Sequence, residues 1–360
     1  MTWSNDRLSR RLSLSPERTE QVYAVISEID AARTAFRLTD RLPPETLRRL
    51  TQSLIVTSSG ASTRIEGARL TDQEVEALYR NLSIRKLRTR DEQEVAGYLE
   101  VLARIVEDFA TMPLSESLIL QLHRDMLRHS EKDERQRGTY KFGPNRVEAR
   151  DADGRVIDVI FDPTPPHLTP KEMSELVAWL TWADENGFRH PLVRIANFAF
   201  EYLAIHPFQD GNGRTSRLIT NLLLLRHGYA FAALVSHERL IEARKAEYYL
   251  ALRRTQATWK SADEDVFPWL FYFLSIVQAQ AHEALALIER DHVESLLSEK
   301  QFALWRWAQA RHEPTFSRRE AVAALGFPSR TVEGIVAKLL EMKRLERLGR
   351  GRATRYRVRR

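Results

Sequence analysis

Twelve residues, HPFQDGNGRTSR at 206–217, constrain this chain more than any other feature. They lie between two apolar segments with helical spacing. Upstream, Leu192, Ile195, Ala196, Ala199 and Leu203 form one stripe after Pro191, a residue suited to a first helical turn. Downstream, RLITNLLLLRH (217–227) reads as a buried helix stopping at Gly228. The run Asp210-Gly211-Asn212-Gly213 ends the first helix. The fold must therefore bring two buried helices together at a loop crowded with polar groups.

A core has no use for that density of polar side chains, but a phosphate site does. The loop delivers its backbone N–H groups to a helix N-terminus, where unpaired donors and the helix dipole attract anions. Gly211 and Gly213 allow unusual dihedrals and close approach to a ligand. Arg214 and Arg217 are three apart and share one face of the first turn, so two guanidinium forks can hold neighbouring phosphates. Asp210 suits Mg2+, which takes one or two carboxylates plus phosphate oxygens. His206 is the group nearby that can accept a proton at neutral pH. Taken singly, each has a plainer reading: a histidine cap, a surface arginine pair, or a His206/Asp210 metal pair, which the helix break disfavours.

The rest of the chain is mostly helical. Residues 1 to about 115 carry helical periodicity, with Leu47, Leu50, Leu54 and Ile55 on one face and a capping box at Thr71/Glu74. Residues 131–166 lose that period. Within them RVEARDADGRVIDVIF (146–161) reads as a β-hairpin turning at Asp153-Gly154, followed by a proline-rich exit. Helices resume at 170 and continue to about 298. The last segment, 299–360, reads as a helix, a helix–turn–helix with a capping box at Ser317/Glu320, and a basic hairpin, which is the plan of a winged helix.

Two properties bound the function. The 360 residues contain no cysteine, which excludes disulfides and thiolate metal sites. The apolar runs 218–228 and 266–277 fall short of the ~18 residues that a membrane span needs, and no apolar run opens the chain; a cytoplasmic location and no membrane partner are expected. The net charge of +6 is uneven: residues 343–360 hold nine Lys and Arg against one acid, and the preceding 342 hold 46 basic against 48 acidic. A basic tail suggests contact with a polyanion such as DNA.

The loop resembles the signature of the Fic/Doc-like family, HPF-x-(D/E)-G-N-G-R-x-x-R, at all nine fixed positions. RGTYKFGPNRV (137–147) with the hairpin is similar to the family's flap, and KAEYYLAL (245–252) to its Tyr-Tyr segment. The resemblance implies a mainly α protein, a helical Fic-type core with a small β-hairpin flap, followed by the winged helix. The expected divisions are 1–114, 115–298 and 299–360. It implies transfer of AMP from ATP to a Ser, Thr or Tyr hydroxyl of a protein target, automodification included. His206 is then the general base and Asp210 the Mg2+ ligand. Gly211, Asn212 and Gly213 cradle the α-phosphate, Arg214 binds the β-phosphate and Arg217 the γ-phosphate. Tyr248, Tyr249 and Gln256 line the adenine pocket, and Phe208 packs the loop on the core. A homodimer is compatible with the resemblance.

Ser62-x-x-x-Glu66-Gly67 resembles the family's inhibitory motif. The resemblance implies that Glu66 pairs with Arg217, occupies the γ-phosphate position and misaligns ATP, and it leaves room for AMP removal by the same glutamate. The rival reading is a DNA-binding regulator with a nucleotide-sensing core. It rests on Arg350, Arg352, Arg355 and Arg357 of the wing. Against it, the helix expected to serve as recognition helix is mixed in charge, with Arg330, Thr331, Glu333, Lys338 and Glu341.

Overall fold

The computed structural model describes residues 3–38, 43–82, 86–150, 156–296, 298–349, 351 and 354–359. Its chain divides into two compact units, Met1–Leu285 and Ala286–Arg360.

The first unit begins with α1 (Arg7–Arg10), α2 (Pro16–Leu38), α3 (Pro44–Ile65), α4 (Asp72–Asn81), α5 (Arg90–Asp108) and α6 (Glu116–Met126). The hairpin β1 (Val147–Arg150) and β2 (Val156–Phe161) follows, then α7 (Thr169–Glu185), α8 (Pro191–Ile205), α9 (Asn212–Arg226), α10 (His237–Ala243), α11 (Lys245–Gln256) and α12 (Phe267–Leu296). Local sequence sets many of the ends. Thr71 and Thr89 close capping boxes with Glu74 and Glu92 at the starts of α4 and α5. Pro191 sits in the first turn of α8. β1 and β2 pair antiparallel from Val147↔Phe161 to Arg150↔Val156, with register breaks after Val147 and Ala149. The expected turn at Asp153-Gly154 lies outside the described residues.

The expected division at 114/115 does not separate compact units. Ile55 and Val56 of α3 share a core with Val75 and Leu78 of α4 and Val95, Ala96 and Leu99 of α5. α5 in turn packs on α6 and α9, and α3 on α10. The apolar faces of the N-terminal helices thus have nowhere else to bury. The other break falls at 285/286, inside α12, rather than at 298/299.

α12 also corrects the length read for its apolar stretch. Phe267–Glu289 is long and apolar enough to cross a membrane by length and composition. Its apolarity has a local use, because Trp269, Leu270, Leu274, Ile276, Val277 and Ala281 are buried within the protein.

The second unit contains α13 (Glu299–Gln309), β3 (Thr315–Phe316), α14 (Arg318–Leu325), α15 (Ser329–Glu341), β4 (Leu345–Leu348) and β5 (Arg355–Val358). Its strands form an antiparallel sheet in the order β3-β5-β4. The third strand, β3, is two residues long and carries no periodic signal, so the sequence reading of a simple hairpin missed it. Val332, Ile335, Val336 and Leu339 of α15 pack with Leu304, Trp305, Phe316 and Leu345.

Candidate active site

α8 ends and α9 begins within the 206–217 loop. His206 is the C-cap of α8 and adopts the left-handed conformation (φ 53°, ψ 61°), which is uncommon for a residue with a side chain. Its backbone N–H donates to the Tyr202 carbonyl at 2.9 Å. Nδ1 lies 3.3 Å from the Leu203 carbonyl. A carbonyl only accepts, so Nδ1 carries the proton and Nε2 keeps its lone pair. Burial pushes the imidazole down to about 4, so His206 is neutral at physiological pH and able to take a proton.

The loop is held from several directions. Phe208 is fully buried and stacks on the His123 ring of α6, with centroids 3.6 Å apart and planes 2° apart. His123 accepts from the Gly138 N–H at Nδ1 (3.0 Å) and therefore donates from Nε2 to the Asp210 carbonyl (3.0 Å). Asn212 caps the turn by accepting from the Phe208 N–H (2.8 Å) and donating to the Phe208 carbonyl (2.7 Å). Gly211 has φ 81°, and a β-carbon there would crowd Met126 and His123. The N-cap of α9 is Gly211, which offers no side-chain cap.

Asp210, Arg214 and Arg217 stand around that N-terminus. Asp210 accepts from the Gly211 N–H at 2.6 Å and lies 3.3 Å from Arg214 and 3.1 Å from Arg90. Burial alone would raise its carboxyl; Arg214, the Gly211 N–H and Arg90 outweigh it and hold it below the usual carboxylate range. Arg214 is nearly inaccessible and ion-pairs with Glu94 of α5 at 2.8 Å. Arg217, equally buried, donates from Nε to Ser62 Oγ (2.8 Å) and from Nη2 to the Ser62 carbonyl (2.9 Å) and Glu66 Oε1 (2.8 Å). Burial opposes its charge, but Glu66 holds the guanidinium well above its usual range. Glu66 is the C-cap of α3 and Gly67 follows with φ 106°. The carboxylate lies so close to the first turn of α9 that a β-carbon at Gly213 would collide with it.

Of the aromatic residues expected at a purine site, Tyr248 is buried and lines a small cavity with Arg217, Ser216, Trp269 and Tyr272. Its ring meets Tyr249 edge-on at 5.1 Å. Gln256 closes α11 two turns later, and no described hydrogen bond ties it to the loop. Asp210 fits an Mg2+ site in which the nucleotide supplies further oxygens, since it is the loop's carboxylate and lies beside Arg214. Among the described residues no group of three His, Asp or Glu gathers to hold a metal alone. His123, Glu94, Arg90, Lys141 and Asn145 escaped the sequence reading.

Residues 113–224 match the profile of the Fic/DOC family. The protein adenylyltransferase fic-1 of Caenorhabditis elegans is 37% identical over 93 residues, which is 26% of this chain and 17% of that protein. A protein adenylyltransferase Fic of Nematostella vectensis is 31% identical over 145 residues, covering 39% and 30% of the two chains. The chain thus spans less than a third of the length of these curated relatives. A Fic family protein of Desulfovibrio desulfuricans G20 superposes with TM-score 0.60 at 25% identity, covering 96% of this chain and 97% of that one.

Proposed function

We propose, from the match of residues 113–224 to the Fic/DOC family, that this chain is a protein adenylyltransferase restrained by its own α3. The observation that carries the reading is the neutral His206, its Nδ1 turned to the Leu203 carbonyl, in the loop that leads into the N-terminus of α9. His206 Nε2 takes the proton from a Ser, Thr or Tyr hydroxyl of the target. The oxygen attacks the α-phosphorus of ATP, the bond to the bridging oxygen breaks, and pyrophosphate leaves. The N–H groups at Asn212 and Gly213 receive the α-phosphate, Arg214 the β-phosphate and Arg217 the γ-phosphate. Asp210 would hold Mg2+, which neutralises phosphate charge as it moves to the leaving group. Tyr248 and Tyr249 sit at the purine end, an assignment that leaves Gln256 unsupported.

Glu66 occupies Arg217 at 2.8 Å, so a γ-phosphate and Glu66 compete for one guanidinium. The competition misaligns ATP rather than excluding it, and an error of about 1 Å costs roughly a hundredfold in rate. The flap holds the target segment by strand addition. Glu66→Gly protein given ATP labelled on the α-phosphate acquires label in this reading. Label acquired from the γ-phosphate alone contradicts it.

The second unit reads as a winged helix-turn-helix. Its described basic side chains are partly spent inside the unit: Arg318 pairs with Glu333, Lys338 with Glu341, Arg355 with Glu320 and Arg357 with Glu346. Arg350 and Arg352 lie outside the described residues. DNA contact through the wing therefore rests on the tail's net charge, and a steep loss of DNA retention with salt tests it. A cytoplasmic location and a homodimer remain part of the proposal on the grounds given for the sequence.

A further inference from the structure

Four consecutive backbone carbonyls around the catalytic histidine are held by two residues of another segment. Lys141 Nζ donates to the Ile205 carbonyl at 2.9 Å, and the Lys141 backbone N–H to the Pro207 carbonyl at 2.8 Å. Asn145 Nδ2 donates to the His206 carbonyl at 2.8 Å and the Phe208 carbonyl at 2.6 Å. The two side chains are joined, Lys141 Nζ donating to Asn145 Oδ1 at 2.8 Å. Each of these carbonyls lies past the last turn of α8 or just inside it, where helix geometry supplies no partner. Lys141 is almost wholly buried, so its ammonium is committed to this task. Between the two, Phe142 is 76% exposed, so the segment's inner face grips the loop while its outer face meets solvent. β1 starts two residues after Asn145.

We propose that Lys141 and Asn145 are positioning residues that hold His206 in its left-handed conformation and link its placement to the base of the hairpin. A histidine at positive φ relaxes unless its surroundings fix it. Asn145 is placed to do this because one amide group bonds the carbonyl of His206 itself and that of Phe208, fixing the chain on either side of Pro207. A target strand added to the hairpin would thereby meet a base already registered to the strand. Lys141 adds a charge. Burial, and to a smaller degree Lys141, lower the imidazole, while the Leu203 carbonyl, Glu66 of α3 and Asp210 of the loop raise it.

The inference rests on the transferase reading, and the test separates the two. In a Glu66→Gly background, Asn145→Ala should slow single-turnover automodification by roughly 10- to 100-fold. Calorimetric affinity for a non-hydrolysable ATP analogue with Mg2+ should stay within about twofold, because neither residue faces the phosphates. Lys141→Met should raise the midpoint of the acid limb of the rate, and Lys141→Arg should restore it. A rate for Asn145→Ala within twofold of its parent overturns the positioning role and leaves the transferase standing. If the Glu66→Gly parent transfers nothing, the transferase reading fails. Nitrogen-15 spectra of the imidazole then decide the positioning role: an unchanged Nδ1–H tautomer signature and titration for His206 in both Asn145→Ala and Lys141→Met overturn it, and a changed one supports it. Asn145→Asp, which keeps the shape and lacks the donors, replaces Asn145→Ala if that variant fails to fold.

Discussion

Glu66 Oε1 and Arg217 Nη2 stand 2.8 Å apart, joining the end of α3 to the second turn of α9 across 151 residues of sequence. The pair sits on a fixed base, because Ser62, one turn before Glu66, binds the same guanidinium through its hydroxyl and its carbonyl. Arg64 adds a bidentate link from α3 to Glu242 of α10, at 2.7 and 3.0 Å. α3 is thus fastened twice within the turn that precedes the glutamate. In the proposed reading, the contact that a γ-phosphate would need is filled by the protein itself.

Removing Arg217 should alter nucleotide choice more than catalysis. In a Glu66→Gly background, Arg217→Ala should weaken ATP binding by about 10-fold or more, the loss of a charge-assisted hydrogen bond. ADP binding should change much less. Isothermal titration with both nucleotides and Mg2+ checks this, and equal losses for the two would move the γ-phosphate site elsewhere.

The pH dependence follows from His206. Its folded pKa of about 4 lies below the ordinary 6.5, so the neutral, proton-accepting form persists from neutral pH down through 5. Automodification by Glu66→Gly protein should therefore show no loss between pH 7 and 5.5 and should fall as pH approaches 4. Stability shifts the same way: the unfolded histidine binds protons first, so this group weakens the fold progressively as pH falls from 6.5 towards 4. A rate already halved at pH 6.5 contradicts the assignment of His206 as a buried neutral base.

Arg11 should matter for stability rather than chemistry. It and Arg7 ion-pair with Glu201 on α8, with Arg11 and Glu201 both buried. Burial would raise Glu201; Arg11 and Arg7 overcome it and hold the carboxyl at about 2, so the stability it contributes is present above 4.5 and lost as pH falls through about 2. Arg11→Ala leaves that charge under-compensated and should cost about 3–5 kcal/mol in urea unfolding at pH 7. Paired with Glu201→Gln, the cost should shrink.

Gly97→Ala should destabilise the first unit. Gly97 of α5 lies against the end of α6, where a β-carbon would run into the Met126 carbonyl. Overpacking against backbone costs roughly 1–3 kcal/mol or more. A raised thermal midpoint, as helix propensity alone would give, would show that α5 and α6 separate readily.

What the sequence reveals follows the reach of its signals. The 206–217 loop is legible because its constraints are local: the helix break, the glycines and the arginine spacing all lie within twelve residues. The starts of α4 and α14 are legible for the same reason, through Thr71 and Ser317. Lys141, Asn145 and His123 carry no such signal. Their partners are 64, 61 and 87 residues away, and a lysine or asparagine in a loop reads as solvated surface until the fold brings carbonyls to it. Periodicity also records that α3 and α5 have apolar faces, not what covers them, so the shared core of α3, α4 and α5 was not legible.

The most direct test is intact mass on three purified proteins, each incubated with ATP and Mg2+: the unaltered chain, Glu66→Gly and His206→Ala in the Glu66→Gly background. The account predicts an AMP adduct that is scarce on the unaltered chain, abundant on Glu66→Gly and absent when His206 is removed. An adduct equally abundant on the unaltered chain and on Glu66→Gly, or one that survives loss of His206, would contradict it.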